Sequence, residues 1–261
     1  MNKKLKVFLQ GCVSFAVLLI IWNIASNTGI FGRVDVDRGR LLLPPPVDVG
    51  RELWEIVKSG YLLHNIWVSM KRVLTGFLLA VAIGTPVGIL MGMSTTLRNF
   101  LHPIFRLFSP IPGVAWVPLA ILWFGLGNSA AVFIITMGAL SPIITNTLQG
   151  VMEVDEKLIQ VLRIMEAGKL QIIKKCIIPS IIPYLVSGFK LGLGFAWRAV
   201  IAAELVGVPE GLGYVLNVGR NTANTAITLI TILSLGFIMI LMENLFFAPL
   251  ERYTANWKSK E

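Results

Sequence analysis

The chain has 261 residues and a formal net charge of +9, and its composition excludes an ordinary soluble domain. Hydrophobic residues make up 55% and charged residues only 14%, whereas soluble domains carry roughly 25% charged residues. Several apolar runs approach the roughly 20 residues of a membrane-spanning helix. A helical membrane protein also gains positive charge from Lys and Arg in its cytoplasmic loops, so the charge does not indicate nucleic-acid binding.

The first predicted element is a membrane span near the N-terminus, from about Val7 to Ala25. Three lysines precede an apolar run in "MNKKLKVFLQGCVSFAVLLIIW", a pattern shared by signal peptides and uncleaved first spans. The run continues past Trp22 without a small-x-small cleavage site, which favours the uncleaved span. In the polar interval 32–60 the prolines Pro44–Pro46 end any helix, and residues 47–60 predict a short amphipathic helix.

Five further spans are predicted in residues 61–257, which we treat as one transmembrane domain after an N-terminal part of residues 1–60. The first of the five contains Gly84, Gly88 and Gly92, whose four-residue spacing predicts close packing against another helix. The second contains four prolines, so we expect a broken helix with only its later part well formed. The predicted limits are about Val73–Met93, Val114–Phe124, Ala130–Leu148, Ile181–Val206 and Ile227–Ala248.

The fold predicted from this pattern is all-α, with about six transmembrane helices and both termini in the cytoplasm. In this arrangement thirteen Lys and Arg residues fall in cytoplasmic segments, and Arg220 alone lies in a short external loop. The interval 32–72 holds seven more and opposes the trend. Two isolated cysteines and two isolated histidines predict neither a disulfide framework nor a metal site.

A charged segment separates the fourth and fifth predicted spans and includes "RIMEAGKLQIIKKCIIPSIIP", residues 163–183. Ala167-Gly168 predicts a break between two short helices. On a helical wheel the apolar and basic residues separate, the apolar side being Leu158, Val161, Leu162, Met165 and Ile172. Two interpretations follow from this amphipathic pattern. The segment docks on a cytosolic partner, or it lies on the anionic inner leaflet of the membrane.

Residues 150–197 resemble the cytoplasmic EAA loop of binding-protein-dependent ABC importer permeases, in "GVMEVDEKLIQVLRIMEAGKLQIIKKCIIPSIIPYLVSGFKLGLGFAW". Upstream, "LLLPPP", "SMKRVLTGFLLAVAIGTPVGILMG" and "PIPGVAWVPLAILWFGLGNSAAVFIITMGALSPIITNTLQGV" resemble the branch that imports nitrate, sulfonate, taurine, bicarbonate and related small solutes. The resemblance extends from about Leu41 to Trp257. Its most specific parts are "WVPLAILWFGLG" and the spacing from Asn146 to Pro179.

The loop departs from the family pattern of Glu-Ala-Ala followed by a glycine six residues after the Glu. Counting back from Ile178-Pro179, the three family positions hold Gln160, Val161 and Leu162, and Glu166 stands at the position of the glycine. Gly168 follows two residues later. The length and the flanks of the loop are intact, so the departure concerns the geometry of the turn.

The resemblance implies a permease without chemistry of its own. Two permease copies would form the pathway, an extracellular binding protein would deliver the solute, and two cytosolic subunits would bind ATP. The chain itself carries no G-x-x-x-x-G-K-[ST] motif. With the resemblance, the docking interpretation is favoured, the apolar stripe packing inward and the polar face meeting the ATPase. The implied coupling residues are Asp155, Leu158, Leu162, Met165, Glu166, Ala167, Gly168 and Lys169.

Candidate pathway residues are the ionisable side chains of the fifth span, since such groups are costly in lipid and tend to face a cavity or a partner. Lys190 and Arg198 are expected to attract an anion, or else to form an internal ion pair or reach the membrane interface. Glu204 lies on the same span. Asn146 and Trp116 are further candidates whose alternative is helix packing.

Two other assignments compete with the permease. A secondary transporter driven by an ion gradient would show inverted repeats, and none is evident. An integral-membrane enzyme would need clustered His, Asp or Glu residues at the bilayer edge. The glycine-rich residues 207–226 predict an external re-entrant or loop segment, which either contacts a binding protein or serves as a plain connector.

Overall fold

The computed structural model describes residues 3–28 and 42–251, and the regular elements within them are helices. Residues 32–41 of the predicted polar interval lie outside the described residues, and so do Arg252, Lys258 and Lys260. The α-helices are α1 (Lys3–Asn27), α2 (Pro46–Lys58), α3 (Tyr61–Met93), α4 (Thr95–Phe108), α5 (Val117–Phe124), α6 (Asn128–Met152), α7 (Glu156–Ile164), α8 (Lys169–Ile172), α9 (Ile178–Gly207), α10 (Leu212–Asn221) and α11 (Thr225–Met242). A 3₁₀ turn, Gly113–Trp116, precedes α5, and π-helical turns cover Ile173–Ile177 and Glu243–Phe247.

Five of the helical segments in the described part are long and apolar enough to cross a membrane. A sixth span results if α4 and the segment Gly113–Phe124, which are bent by 91° relative to each other, are counted as one. The predictions of an all-α, polytopic fold and of a broken third span are therefore confirmed. Residues 1–60 and 61–257 as separate units stay a prediction.

The broken span differs from the prediction because a helix, α4, precedes the break. Ser94 caps this helix by accepting a hydrogen bond from the backbone N–H of Leu97 at 3.3 Å. Pro103 lies inside α4, where it removes a single backbone hydrogen bond. The carbonyl that loses this bond belongs to Asn99, an exposed residue that lies outside the packed core. The break comes later, at residues 109–112, which include Pro110 and Pro112.

The start of α3 was predicted too late. The helix begins at Tyr61, twelve residues before the predicted Val73. The predicted apolar run begins directly after the charged residues Lys71 and Arg72, and charged side chains are costly at membrane depth. The structure buries Arg72 in an ion pair with Glu204 at 2.8 Å, so the charge does not end the helix.

Helix α6 is the centre of the bundle, packed between α3 on one side and α9 on the other. The predicted glycine stripe of α3 is confirmed, because a Cβ atom at Gly88 would lie 2.7 Å from the Cβ of Thr147 on α6. From the opposite side, a Cβ atom at Gly192 of α9 would lie 2.8 Å from Ile143 of α6. Small residues on both neighbours thus bring the three backbones close together.

The segment 207–226, predicted as an external re-entrant or loop segment, contains the helix α10. Helix α10 follows Gly211, whose φ of 111° is rarely adopted by residues with a side chain. Its first turn packs on α9, since a Cβ atom at Gly213 would lie 2.6 Å from the Cβ of Glu204. The predicted amphipathic helix at 47–60 is present as α2, which buries Val49 in the core that also contains Leu235 of α11.

Candidate coupling loop and intramembrane polar residues

The EAA-like loop, residues 153–177, joins α6 to α9 and contains α7, α8 and a π-helical turn. Asp155 caps α7, because its carboxylate accepts a hydrogen bond from the backbone N–H of Lys157 at 2.9 Å. The N-terminus of α8 is capped by the side chain of Gln171, whose oxygen accepts a hydrogen bond from the backbone N–H of Gly168 at 3.0 Å. The predicted break between two short helices is confirmed.

The turn between α7 and α8 is a Schellman motif with Glu166 at its left-handed position. The N–H of Ala167 donates to the carbonyl of Leu162, and the N–H of Glu166 donates to the carbonyl of Arg163, each at 3.0 Å. Glu166 has φ 57°, a conformation that costs about 1–2 kcal/mol for a residue with a Cβ. The glycine of the family pattern would avoid this cost. Gly168 has ordinary extended backbone with φ −67° and ψ 158°.

One face of the loop packs against the membrane bundle. Ile159, Leu162 and Ala167 are partly buried against an apolar cluster at the ends of α6 and α9. The fully buried members of this cluster are Val151, Val154, Ile172, Cys176, Ile177 and Ile181. Of the predicted coupling residues, Leu162 and Ala167 therefore hold the loop in place from the inner side.

The opposite face leaves large apolar side chains in the open, and this corrects the expectation that the apolar stripe packs inward. We call it the apolar loop surface; its members and their exposed fractions are Leu158 52%, Val161 54%, Ile164 82%, Met165 72% and Leu170 64%. Leu162 packs on the bundle, whereas Leu158 and Met165 are exposed. The residues on the apolar side of the helical wheel are therefore divided between the packed face and the exposed face of the loop. A partner that binds this face therefore meets an apolar surface as well as the exposed Lys169.

A buried polar cluster lies at the end of the bundle away from the loop, and we call it the Arg72–Glu204 node. Arg72 is 6% exposed and Glu204 1% exposed, and their side chains form a charge-assisted hydrogen bond of 2.8 Å. Arg72 also donates to the side-chain oxygen of Asn128 at 2.7 Å and to the carbonyl of Glu210 at 2.6 Å. The node thus joins α3, the start of α6, the end of α9 and the loop before α10.

The carboxylate of Glu204 has a full set of donors around it. Ser69 donates to it at 2.8 Å, and the backbone N–H of Gly213, in the first turn of α10, donates at 2.9 Å. The positive end of a helix stabilises an anion in this position. Gly211 approaches so closely that an added Cβ would lie 2.4 Å from the carboxylate. Glu204 was predicted as a pathway residue, and the structure places it in this closed node.

Lys190, the second predicted pathway residue, is engaged within the chain. Its ammonium group lies 2.7 Å from a carboxylate oxygen of Glu243 and 3.1 Å from one of Glu251. These contacts tie α9 to the end of the α11 segment. Two carboxylates surround one ammonium group, so the net charge around Lys190 is negative. This position would therefore not attract an anion.

The remaining pathway candidates occupy three different surroundings. Arg198 is exposed, with its guanidinium group 5.6 Å from the ring centre of Phe195. Asn146 donates to the carbonyl of Pro142 at 2.8 Å and faces α9. Trp116 stacks on Phe108 across the break of the third span. The structure does not bring these five predicted residues together into one site.

Sequence reasoning missed Arg72, Ser69 and Asn65, which belong to the node. Asn65 accepts a hydrogen bond from the N–H of Gly211 at 2.7 Å. The signal in the sequence was Glu204 itself, since a carboxylate inside an apolar span needs a counter-charge. Arg72, which directly precedes the apolar run 73–93, was the available candidate for this counter-charge.

The helical bundle, the anchored loop and the buried ion pair together define a polytopic α-helical membrane domain. The family model of the binding-protein-dependent transport system inner membrane component matches residues 84–248. The chain therefore belongs to this family, whose members are ABC transporter permeases, multi-pass membrane proteins that transport solutes and are not enzymes.

Three relatives match nearly the whole chain. The putative aliphatic sulfonates transport permease protein of Bacillus subtilis is 31% identical, over 97% of this chain and 88% of its own length. The taurine transport system permease protein of Escherichia coli is 30% identical, over 94% and 88%. The nitrate import permease protein of Synechococcus elongatus is 33% identical, over 87% and 84%.

A solved structure shares the fold. In the inward-facing methionine ABC transporter MetNI, one chain superposes with a TM-score of 0.65 at 22% sequence identity. The match covers 74% of the present chain and 95% of that chain.

Proposed function

We propose that this permease is the membrane-spanning subunit of an ATP-driven importer and that the apolar loop surface docks on cytosolic ATP-binding subunits. The observation that carries the proposal is the position of Leu158, Val161 and Met165, exposed on a loop whose other face is packed on the bundle. An exposed apolar patch on an anchored element is typical of a protein interface. The nucleotide is bound by the partner, so this chain needs no cofactor.

The charge of the loop favours a protein partner over the membrane surface. Residues 153–177 carry four acidic residues beside five basic ones, the acids being Glu153, Asp155, Glu156 and Glu166. Helices that lie on an anionic leaflet gain their affinity from a clear excess of Lys and Arg. A nearly balanced charge around an apolar centre instead suits a groove on another protein.

Membership of the family supports the remaining parts of the proposed assembly. Two copies of the permease enclose the pathway, a binding protein delivers the solute from outside, and both termini lie in the cytoplasm. The solute is a small anion or sulfonate, an assignment supported by the substrates in the names of the relatives. Arg198 is the candidate for contact with it, because it is exposed on α9 and forms no ion pair among the described residues.

Co-purification with the cognate ATP-binding subunit tests the docking surface. The variant Val161→Asp/Met165→Asp is expected to lose the ATPase, because it places charge in an apolar contact. Gln160→Asp is the matched control, since Gln160 is exposed on the same helix and outside the apolar loop surface. Leu162 is unsuitable for this test because it packs on the bundle. Equal ATPase recovery in all three proteins would contradict the docking proposal.

Uptake into proteoliposomes tests the solute and the energy source. The permease, the ATPase and the binding protein are reconstituted and supplied in turn with an alkane sulfonate, taurine and nitrate. ATP-dependent accumulation of one of them is expected, and Arg198→Gln should lower it more than Arg220→Gln. Uptake by the permease alone under an ion gradient would instead support the secondary transporter.

A further inference from the structure

A cleft of about 500 Å³ opens between α4 and the last turns of α6. It lies at the end of α6 from which the EAA-like loop begins, so it is cytosolic in the proposed topology. Helix α4 contributes the polar wall and α6 an apolar floor. The lining residues are Arg98, Asn99, His102 and Pro103 from α4, and Leu148 and Met152 from α6.

Helix α4 is connected to neighbouring helices at both of its ends. At its C-terminal end the hydroxyl groups of Ser109 and Ser141 are hydrogen-bonded at 2.6 Å. At its N-terminal end α4 follows α3 directly, with Ser94 as the cap. Between these two connections, Arg98, Asn99 and His102 of α4 line the cleft opposite Leu148 and Met152 of α6.

The lining of the cleft carries the positive charge of Arg98 and contains no carboxylate. Arg98 and His102 are four residues apart, so they lie on the same face of α4. Neither forms an ion pair within residues 3–28 and 42–251. The acid that follows on α6, Glu153, is bound to Gln149 and to the hydroxyl of Tyr184.

We propose that this cleft is a binding site for an oxyanion group, either phosphate or sulfonate, with an apolar chain attached. Arg98 would hold two oxygens of the group in the fork of its guanidinium, and the amide of Asn99 and the ring of His102 would supply further donors. Leu148 and Met152 would contact the attached carbon atoms. The group comes from one of two sources, the headgroup of an anionic lipid or a soluble anion on the cytosolic side. The site does not depend on the proposed docking surface, because no residue of the EAA-like loop lines it.

Binding is measured on the full-length protein in nanodiscs of neutral phosphatidylcholine. One arm adds phosphatidylglycerol to the bilayer, and the other adds octanesulfonate below its micelle concentration. The readout is native mass spectrometry for bound lipid, and the shift of thermal unfolding with ligand concentration in both arms. The Arg98→Gln/His102→Gln variant is compared with Arg106→Gln, which removes a charge from the same helix outside the cleft.

Wild type and Arg106→Gln are expected to bind at least one probe. The affinity of the double variant for that probe should be lower by a factor of about ten or more, because charge-assisted hydrogen bonds are lost. An effect confined to the phosphatidylglycerol arm assigns the site to a lipid headgroup. An effect in the octanesulfonate arm assigns it to a soluble anion. If neither probe binds, or if the double variant binds as well as Arg106→Gln, the proposal is overturned.

Discussion

Removing the guanidinium group of Arg72 is predicted to be among the most destabilising single changes in the bundle. The Arg72→Met substitution keeps the length of the side chain but deletes its charge. Glu204 would then be 1% exposed with no cation beside it. The donors left to its carboxylate, Ser69 and the N–H of Gly213, are neutral.

The magnitude follows from the contacts that disappear. One charge-assisted hydrogen bond to Glu204 at 2.8 Å is lost, together with bonds to Asn128 at 2.7 Å and to the carbonyl of Glu210 at 2.6 Å. Breaking a buried ion pair by removing one partner costs about 3–5 kcal/mol, because the other charge stays buried. The positive end of α10 offsets a minor part of this cost.

The unfolding free energy is measured by SDS titration in mixed micelles, followed by the reactivity of a single thiol. Cys176 is buried and reports on unfolding, whereas Cys12 is exposed and is replaced by Ser in every protein compared. A double-mutant cycle with Glu204→Gln isolates the pair. The cost of Arg72→Met should shrink by about 2 kcal/mol when Glu204 is already neutral, since the buried charge is then absent.

The control is Arg198→Met, which makes the same chemical change at an exposed arginine of α9. It should alter the unfolding free energy by less than about 1 kcal/mol, because only a contact with Phe195 is lost. Equal losses for the two arginines would refute the reasoning. So would strictly additive effects of Arg72→Met and Glu204→Gln.

Three further predictions use the same titration. Glu166→Gly should stabilise the protein by about 1 kcal/mol by relieving the left-handed backbone at φ 57°, whereas Gly168→Ala, in extended backbone, should be neutral; a loss in the first variant would argue against the strain. Gly88→Val should cost about 3 kcal/mol or more through a 2.7 Å clash with α6, and Gly236→Val, with open space around it, should cost far less. Lys190→Met should cost about 1 kcal/mol because two carboxylates lose their cation at a half-exposed site, and Lys190→Arg should recover most of it.

Local patterns were sufficient to predict the elements whose reasons are local. The four-residue glycine spacing of α3 predicted a close helix contact, which α6 provides. The prolines predicted the interrupted third span, and Ala167-Gly168 predicted the break in the loop. In each case the signal lies within one or two helical turns of the feature.

Features that depend on a distant partner could not be predicted in this way. The first twelve residues of α3 were missed, and the partner that neutralises Arg72 at their end is Glu204, 132 residues later in the chain. The direction of the apolar loop residues was missed for a similar reason. A helical wheel groups Leu158 with Leu162, but only the position of the bundle decides that Leu162 is the one that packs inward.

In the proposed coupling, the close packing of α6 determines how a displacement of the EAA-like loop would spread through the domain. Glycines of α3 and α9 bring three backbones together along the length of α6, and Asn128 at its far end is bonded to Arg72. Such an interior is nearly incompressible, so the three helices are expected to move as one body. The segment 109–112 is different, since it lies at the 91° bend between α4 and the segment Gly113–Phe124, and Ser109 is joined to α6 by one exposed hydrogen bond. Changes of shape during transport should therefore concentrate between α4 and α5, at the edge of the α3–α6–α9 body rather than inside it.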